Sequence, residues 1–196
     1  MTQEFTIIVF SENHIGLLNR ITIVFTRRHI NIESLTVSES EVHGIHRFTI
    51  VVNTTADLVR KVTRQIEKVV EVLRVLYFTT DEIIHQELAL YKLRTAAFIN
   101  ADGVEQLIRQ SNARILTVEP DYIIIEKTGH NSETQQLFNQ LEPYGVLQFV
   151  RTGRIAITKE VKELTNYLKE LDRAHPHIND DDDAEKPKSF PDNMNF

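Results

Sequence analysis

The chain of 196 residues contains no cysteine. This absence excludes disulfide bonds, a thiolate nucleophile and thiolate metal ligands together, and it is typical of a reducing compartment. No apolar run approaches the roughly 18 residues that a membrane-spanning helix needs. The chain also lacks a basic segment followed by an apolar one ahead of its first predicted strand. We therefore expect a cytoplasmic protein that does not bind a membrane.

Positive charge does not dominate the sequence either. The 22 lysines and arginines are outnumbered by 28 aspartates and glutamates, which leaves a net charge of −6 at pH 7. Because proteins attract nucleic acid mainly through clustered positive charge, we expect no nucleic-acid partner. The sequence also lacks the glycine-rich dinucleotide fingerprint, the phosphate-binding loop with its lysine, and the Gly-x-Ser-x-Gly elbow of hydrolases.

Histidines and carboxylates offer only weak candidates for a metal or catalytic site. His43 and His46 lie three positions apart at a turn that enters a predicted strand, which places their side chains on opposite faces. Exposed hairpin polarity is therefore the better interpretation of this pair than metal binding. The four aspartates at 180–183 lack the glycine and glutamate of a calcium loop. Three carboxylates have no evident partner for acid–base chemistry: Glu12, Glu33 and Glu126. We expect neither a catalytic nor a metal site.

Hydrophobic periodicity predicts the order β-α-β-β-α-β for a first domain over residues 1–79. Predicted strands cover residues 5–10, 31–39, 45–52 and 72–78. The first predicted helix starts near Ile15, and the second covers residues 56–69. Thr54 and Thr55 are candidate caps for the second helix. Right-handed crossovers fold this order into a four-stranded antiparallel sheet with both helices on one face.

The same order recurs, more loosely, in a predicted second domain over residues 80–158. Strands are expected at 84–94, 114–118, 122–127 and 145–151, the last continuing at 155–157, with helices at 101–110 and 132–141. The two halves share too few identical residues to count as a sequence repeat, so the duplication rests on pattern alone. The polar connection at 79–82 is short, and we expect the two domains to touch.

The last part of the chain differs in composition. Val161, Leu164, Leu168 and Leu171 follow helical spacing and predict an amphipathic helix over 159–174. Residues 175–196 are rich in Pro, Asp and Asn, and we expect a disordered acidic tail there.

The stretch ENHIGLLNR at 12–20 is the best candidate for a binding loop. A helix that begins near Ile15 would leave the amides of Ile15, Gly16 and Leu17 unpaired at the positive end of the helix dipole, which suits a carboxylate. Gly16 lets the backbone of a ligand come close, and Asn13 can cap the helix or contact the ligand. The alternative is a capped helix after a tight turn, and spacing alone favours that alternative.

A second stretch strengthens the binding interpretation, because Asn31 stands at the start of the next predicted strand. We expect the two loops at neighbouring ends of the sheet. If two copies pair edge to edge, Asn31 of one chain faces Asn13 and Gly16 of the other. The apolar walls of this clamp are Ile15, Leu17 and Ile32. Such a clamp suits a free amino acid with a branched aliphatic side chain.

Several of these segments resemble the regulatory small subunit of acetohydroxyacid synthase, also called acetolactate synthase. The likeness lies first in ENHIGLLNR at 12–20 and NIESLTV at 31–37. It continues at 72–75, 87–90, 121–129 and in VRTGR at 150–154, and so covers roughly residues 4–157. The glutamate-asparagine-glycine loop alone would indicate only some ACT domain, whereas NIESLTV with RTGR is more specific.

The resemblance implies an α+β fold of two ferredoxin-like βαββαβ domains, an N-terminal ACT domain and a C-terminal ACT-like domain. It implies a non-catalytic subunit that activates a catalytic large subunit and confers feedback inhibition by valine, or by leucine or isoleucine. Thiamine diphosphate, magnesium and FAD are then expected in the catalytic partner and no cofactor in this chain. The second domain and the helix at 159–174 are the candidate contacts with that partner.

By position, the resemblance assigns the effector contacts to two chains of a homodimer. One chain contributes Asn13, His14, Ile15, Gly16 and Leu17, and the other contributes Asn31 and Ile32. His14 and Ile15 occupy the variable positions of the loop, where the family often has an acidic or small residue followed by Pro or Ser. Bound valine would bias the packing of the two ACT domains, and the catalytic subunit would respond to that packing.

Two other functions stay open at this point. A free-standing ACT-domain sensor would control a transcription factor or an unrelated enzyme, and it would bind an amino acid without activating acetohydroxyacid synthase. A catalytic ferredoxin-like protein would need convergent ionisable groups, which the sequence does not offer.

Overall fold

The computed structural model describes residues 1–100 and 103–159 of the chain. The first half forms an antiparallel sheet with strand order β2-β3-β1-β4. Its elements are β1 Gln3–Glu12, α1 Leu17–Thr26, β2 Ile32–Glu39, β3 Ile45–Thr54, α2 Ala56–Ile66 and β4 Val72–Phe78. This is the predicted β-α-β-β-α-β order, and the predicted bounds of β4 match those of the structure.

Strand β1 lies in the middle of this sheet because its residues are apolar on both faces. Residues 5–10 are all buried, and β1 pairs with β3 on one side and with β4 on the other. One face carries Phe5, Ile7 and Val9 into a core shared with the two helices. Both helices therefore pack on one face, since a strand directs alternate side chains to one side.

Helix α2 begins where the sequence predicts and ends three residues earlier. Thr55 is the N-cap, and its side chain accepts a hydrogen bond from the Leu58 amide at 3.4 Å. Thr54, the other candidate cap, is instead the last residue of β3. The helix ends at Ile66, while Val69 still packs against the core from the following turn.

The second half forms a sheet with strand order β6-β7-β5-β8, and β9 pairs with β5 as well. Its elements are β5 Ile83–Arg94, α3 Thr95–Asn100, α4 Val104–Gln110, β6 Arg114–Val118, β7 Tyr122–Gly129, α5 Asn131–Leu141, β8 Val146–Arg151 and β9 Ile155–Thr158. The core between this sheet and its helices includes Tyr91, Val104, Ile108, Leu137 and Leu141.

Two elements of the second half differ from the prediction. A short helix, α3, follows β5 directly and has no counterpart in the prediction, because six residues are too few to show helical periodicity. The 155–157 segment does not continue β8; it is a separate strand that pairs with Ile83–Gln86 at the start of β5. A turn at 152–154 therefore separates β8 from β9.

The fold class is confirmed as α+β with two βαββαβ-type arrangements. The two halves contact each other, as their short connection predicts, for example through Arg47, which donates to the carbonyl of Ala156. Apart from Lys159, the predicted helix at 159–174 and the predicted tail at 175–196 lie outside the described residues. Among the described helices, none has the length and apolarity needed to cross a membrane.

Candidate functional site

The loop between β1 and α1 is held by main-chain hydrogen bonds from two other parts of the first half. The amide of Glu12 donates to the carbonyl of Glu71 at 3.0 Å, and the amide of Asn13 donates to the carbonyl of Gly44 at 3.2 Å. Glu71 lies just before β4, and Gly44 lies in the turn between β2 and β3. The loop is thus positioned by the sheet rather than by its own sequence alone.

Gly16 ends this loop in a left-handed conformation, with φ 83° and ψ −4°, and is the N-cap of α1. Residues with a side chain rarely adopt this φ, so glycine suits the position. Because a left-handed residue cannot belong to the helix, α1 begins at Leu17, two residues later than predicted. A Cβ built on Gly16 meets nothing within 4 Å, so the space beside the glycine is open.

Of the three amides expected to be free at the start of α1, those of Ile15 and Gly16 have no main-chain acceptor among the described residues, whereas that of Leu17 is bonded. The amide of Leu17 donates to the carbonyl of His14 at 3.2 Å, and the first helical bond joins the amide of Arg20 to Gly16 at 3.2 Å. The amides of Leu18 and Asn19 have no main-chain acceptor among the described residues. These two groups lie at the positive end of the helix dipole, an arrangement that suits an anion.

The side chains of the predicted site divide into two groups. Asn13, His14 and Ile15 are exposed, and Ile15 is 101% exposed. Leu17 is only 2% exposed and belongs to the core under the first sheet. Its side chain therefore does not form an apolar wall of the clamp, contrary to expectation, because helical spacing directs it inward with Ile21.

Asn31 and Ile32 lie at the start of β2. The Nδ2 of Asn31 donates to Oε1 of Glu33 at 3.2 Å, so the Oδ1 of the same amide is left as an acceptor. Asn31 is exposed, and Ile32 is half-buried against the first core. The second part of the predicted clamp thus consists of an exposed polar side chain and a half-buried apolar one.

Within one chain, these two parts of the predicted clamp lie at opposite ends of the sheet. In β3, Glu12 pairs with Ile45, whereas Ile32 pairs with Val52 at the other end of the same strand. The expectation that both loops lie at neighbouring ends is wrong for a single chain. The physical reason is that β1 and β2 both run antiparallel to β3 and are therefore parallel to each other.

Strand β2 is an edge strand. Among the described residues, β2 pairs only with β3, so one side of Ile32–Glu39 has unpaired main-chain groups. It has neither proline nor lysine, which commonly prevent edge-to-edge pairing. Two copies paired antiparallel through β2 would bring the start of one strand to the end of the other.

Glu71 is a residue near the loop that the sequence did not point to. Its Oε1 accepts from Arg20 Nη2 at 2.7 Å, and this hydrogen bond lowers the pKa of the Glu71 carboxyl group. Its other oxygen, Oε2, is buried and has no partner among the described residues. Only the fold could reveal this role, since 51 positions separate Glu71 from Arg20.

The histidines and carboxylates that were weak candidates for a metal or catalytic site form ordinary surface contacts. His43 Nδ1 lies 2.9 Å from Glu39 Oε1 in an exposed turn, and Glu126 forms an ion pair with Arg114 at 2.9 Å. Across residues 1–100 and 103–159, no group of three His, Asp or Glu side chains could hold a metal ion.

Comparison with known proteins connects both halves of the structure to one family. Residues 7–74 match a family described as an AHAS small subunit-like ACT domain, and residues 86–160 match one described as the small subunit of acetolactate synthase. The acetolactate synthase small subunit of Bacillus subtilis is 36% identical over 152 residues, which cover 77% of this chain and 88% of the relative. The chain belongs to the acetolactate synthase small subunit family.

Other members of the family support the assignment. A probable acetolactate synthase small subunit of Archaeoglobus fulgidus is 34% identical over 158 residues, which cover 81% of this chain and 98% of the relative. The crystal structure of the acetolactate synthase small subunit of Thermotoga maritima matches with a TM-score of 0.74 and 29% identity, covering 81% of this chain and 98% of that one. The resemblance drawn from the sequence is thus confirmed.

Proposed function

We propose that this chain is the regulatory subunit of an acetolactate synthase and that a branched-chain amino acid, with valine as the first candidate, binds between two copies of it. In this proposal the chain itself is not catalytic. It activates a catalytic subunit, which holds the thiamine diphosphate, magnesium and FAD. The amino acid acts as a feedback inhibitor by favouring one packing of the paired copies.

The observation that carries the two-chain site is the placement of its two parts at opposite ends of one sheet. A single chain cannot bring Asn31 to Gly16, because the register of β1 and β2 on β3 separates them along the strands. A two-fold axis at the free edge of β2 reverses one copy relative to the other. This places the start of β2 of one copy at the sheet end that carries residues 12–16 of its partner.

The polar groups of this assembly match a zwitterion. The ligand carboxylate would accept from the free amides of Leu18 and Asn19 beside Gly16, where no side chain occupies the space. The ligand ammonium would donate to Oδ1 of Asn31 from the second copy, since Nδ2 of that residue is already used by Glu33. Ile15 and Ile32 offer apolar surface to an aliphatic side chain.

The inhibition would follow from differential binding. An amino acid shifts the equilibrium between two packings only by its difference in affinity for them, typically about 1–3 kcal/mol of coupling. The catalytic subunit would then respond to the favoured packing.

The test is a titration of purified catalytic subunit with this chain, with and without valine, leucine or isoleucine. We expect the chain to raise acetolactate formation and one of the amino acids to reduce it. Calorimetry on the isolated chain, shown to be dimeric by light scattering, should give one amino acid per chain. Amino-acid binding without activation would favour a free-standing sensor for another target. No saturable binding by a folded dimer would refute the effector site.

A further inference from the structure

The turn between β8 and β9 contacts the first sheet although it belongs to the second. Its three residues are Thr152, Gly153 and Arg154. The amide of Arg154 donates to Oγ of Ser34 at 2.9 Å, and Ser34 lies on β2. The turn therefore reaches the strand whose start carries Asn31 and Ile32.

Gly153 lies so close to β2 that no other residue fits without movement. A Cβ on Gly153 would lie 2.9 Å from Ser34 Oγ and 3.0 Å from the carbonyl oxygen of Leu35, and it would overlap Thr36 Oγ1. Carbon atoms of real side chains do not approach a neighbour this closely. Gly153 has no left-handed φ, so the requirement for glycine here is one of space.

The side chain of Arg154 adds a second connection to the first sheet. Its Nη1 lies 2.7 Å from Oε1 of Glu4 and 3.1 Å from Oγ1 of Thr6, both on β1, and the arginine side chain is 5% exposed. Burial tends to raise the pKa of Glu4, but the hydrogen bond and charge of Arg154, together with Thr80 and His85, lower it overall. The ion pair is thus formed by a charged carboxylate.

The other end of the turn is attached to the second sheet. The amide of Thr152 donates to the carbonyl of Leu88 at 2.9 Å, and the amide of Leu88 donates to Oγ1 of Thr152 at 3.0 Å. Leu88 lies in β5, the strand that pairs with β7, β8 and β9. One residue of the turn therefore belongs rigidly to the second sheet, and the next two are held by the first.

We propose that Thr152-Gly153-Arg154 is the coupling segment that transmits a displacement of β2 on effector binding to the second sheet. This proposal rests on the proposed function, because that function places the effector contacts at the start of β2. The contacts of the coupling segment begin at Ser34, two residues after Ile32, which is about 7 Å along a strand. A register irregularity between Ile32 and Ser34 marks the place where β2 departs from regular pairing.

The variant that tests the proposal is Gly153→Ala, which adds one methyl group between the turn and β2. The matched control is Gly129→Ala at the end of β7. The three atoms nearest to a Cβ at Gly129 all belong to the side chain of Glu133, whose carboxylate caps α5 by accepting from the amide of His130, so the control perturbs the second half. Ser34→Ala is a milder second variant that removes only the acceptor for the Arg154 amide.

Hydrogen exchange of the full-length chain gives a readout that needs no ligand. With Gly153→Ala we expect exchange to be at least about threefold faster both in β2 and in residues 152–158. Ser34→Ala should give the same pattern with a smaller change. Gly129→Ala should leave β2 unchanged. Faster exchange confined to 152–158 in both test variants would overturn the proposal, because it would show that the turn does not hold β2.

The second readout compares valine binding with valine inhibition in the complex with the catalytic subunit. We expect Gly153→Ala to bind valine with a Kd within about twofold of the wild type, while the valine concentration for half-inhibition rises at least about tenfold or inhibition is lost. The additional change Thr36→Ala removes the nearest obstructing atom, which has no hydrogen-bond partner among the described residues, and should restore part of the inhibition.

The experiments distinguish a failure of the coupling role from a failure of the proposed function. Unaltered inhibition of a folded Gly153→Ala complex would overturn the coupling role even if valine binds. If the wild-type chain binds none of the three amino acids, the proposed function fails, and the hydrogen-exchange comparison alone decides whether the turn links the sheets.

Discussion

Nη2 of Arg20 lies 2.7 Å from Oε1 of Glu71, and the main-chain oxygen of the same Glu71 accepts from the amide of Glu12 at 3.0 Å. One residue therefore holds both sides of the loop that carries Asn13 and Gly16. Its side chain is attached to helix α1, and its main chain is attached to the end of β1.

Replacing Glu71 by glutamine should weaken effector binding without preventing folding. The glutamine side chain is uncharged and cannot form an ion pair with Arg20, whereas the main-chain hydrogen bond between residue 71 and Glu12 persists. We expect the Kd for valine to rise about two- to fivefold, which is the range for loss of a partly exposed ion pair. Calorimetry measures this change. Glu105→Gln is the control, since Glu105 pairs with Arg109 at 2.6 Å in the second half. An equal effect of both variants would contradict the prediction.

Replacing Gly16 by aspartate should abolish inhibition by valine while activation of the catalytic subunit largely persists. The new carboxylate would occupy the open space beside the glycine and repel the carboxylate of the ligand, which corresponds to more than about a hundredfold loss of affinity. Gly103→Asp is a closely matched control, because Gly103 is also a left-handed N-cap with open space around it, at φ 99° before α4. Dose–response curves for valine should shift for Gly16→Asp only.

A mixed dimer provides the sharpest test of the two-chain site. Asn31→His should also abolish inhibition, from the other side of the interface. A dimer of one Gly16→Asp chain and one Asn31→His chain contains one site with both changes and one unaltered site. When equal amounts of the two inactive variants re-pair at random, about half of the dimers are mixed, and binding of about a quarter of a ligand per chain should be restored. If each site lies within a single chain, mixing restores nothing.

His85 should make stability sensitive to mild acid. This histidine is 8% exposed, and its ring lies 4.5 Å from that of His130. Burial, followed by the charges of Arg154 and His130, lowers the pKa of His85, although Glu4 acts in the opposite direction. The unfolded chain then binds a proton more readily than the folded one. The contribution of His85 to the free energy of unfolding is therefore complete above about pH 6.5 and is lost as the pH falls below that value.

Urea unfolding at pH 8.0, 6.5 and 5.5 measures this effect. We expect the free energy of unfolding to fall across this range for the wild type and to fall less for His85→Asn. His43→Asn, in an exposed turn, should behave as the wild type. The carboxylates with lowered pKa values, such as Glu4 and Glu82, lose their contribution only below their ordinary value of 4.5. A pH dependence unchanged by His85→Asn would refute the assignment.

Removing the hydroxyl of Tyr91 should destabilise the second half. Burial, opposed by the charge of Arg151, raises the pKa of Tyr91 to about 12, and its Oη donates to the carbonyl of Thr134 at 2.7 Å. Tyr91→Phe removes this buried hydrogen bond and should cost about 1–2 kcal/mol of unfolding free energy. Tyr122→Phe should change it by less than about 0.5 kcal/mol, because the hydroxyl of Tyr122 has no hydrogen-bond partner among the described residues.

The elements that the sequence predicts well are those with a strong local pattern. Strand β4 matches at both ends, and β1 is identified by its continuous apolar run, as is usual for a central strand. Helix α3 is absent from the prediction because its six residues are too few to define a period. Strand β9 is misassigned because its partner is the start of β5, about 70 positions earlier in the chain.

In the candidate site, too, some features could be predicted from the sequence and others could not. The residue types at 13–16 and 31–32 are sufficient to predict a small polar clamp with aliphatic surroundings. They do not reveal that α1 begins at Leu17, that the side chain of Leu17 is buried, or that Glu71 and Gly44 position the loop. The start of α1 depends on the left-handed conformation of Gly16, and the other two features depend on contacts between segments far apart in the chain.

The sequence by itself determined the order of strands and helices in the first half, the two-part architecture and the family, because periodicity and short motifs are local properties. Only the tertiary structure decided that Asn31 and Gly16 lie at opposite ends of one sheet, and that Gly153 has no space for a side chain against β2. The physical reason is that register and close packing arise between distant segments, and neither leaves a periodic signal in the chain.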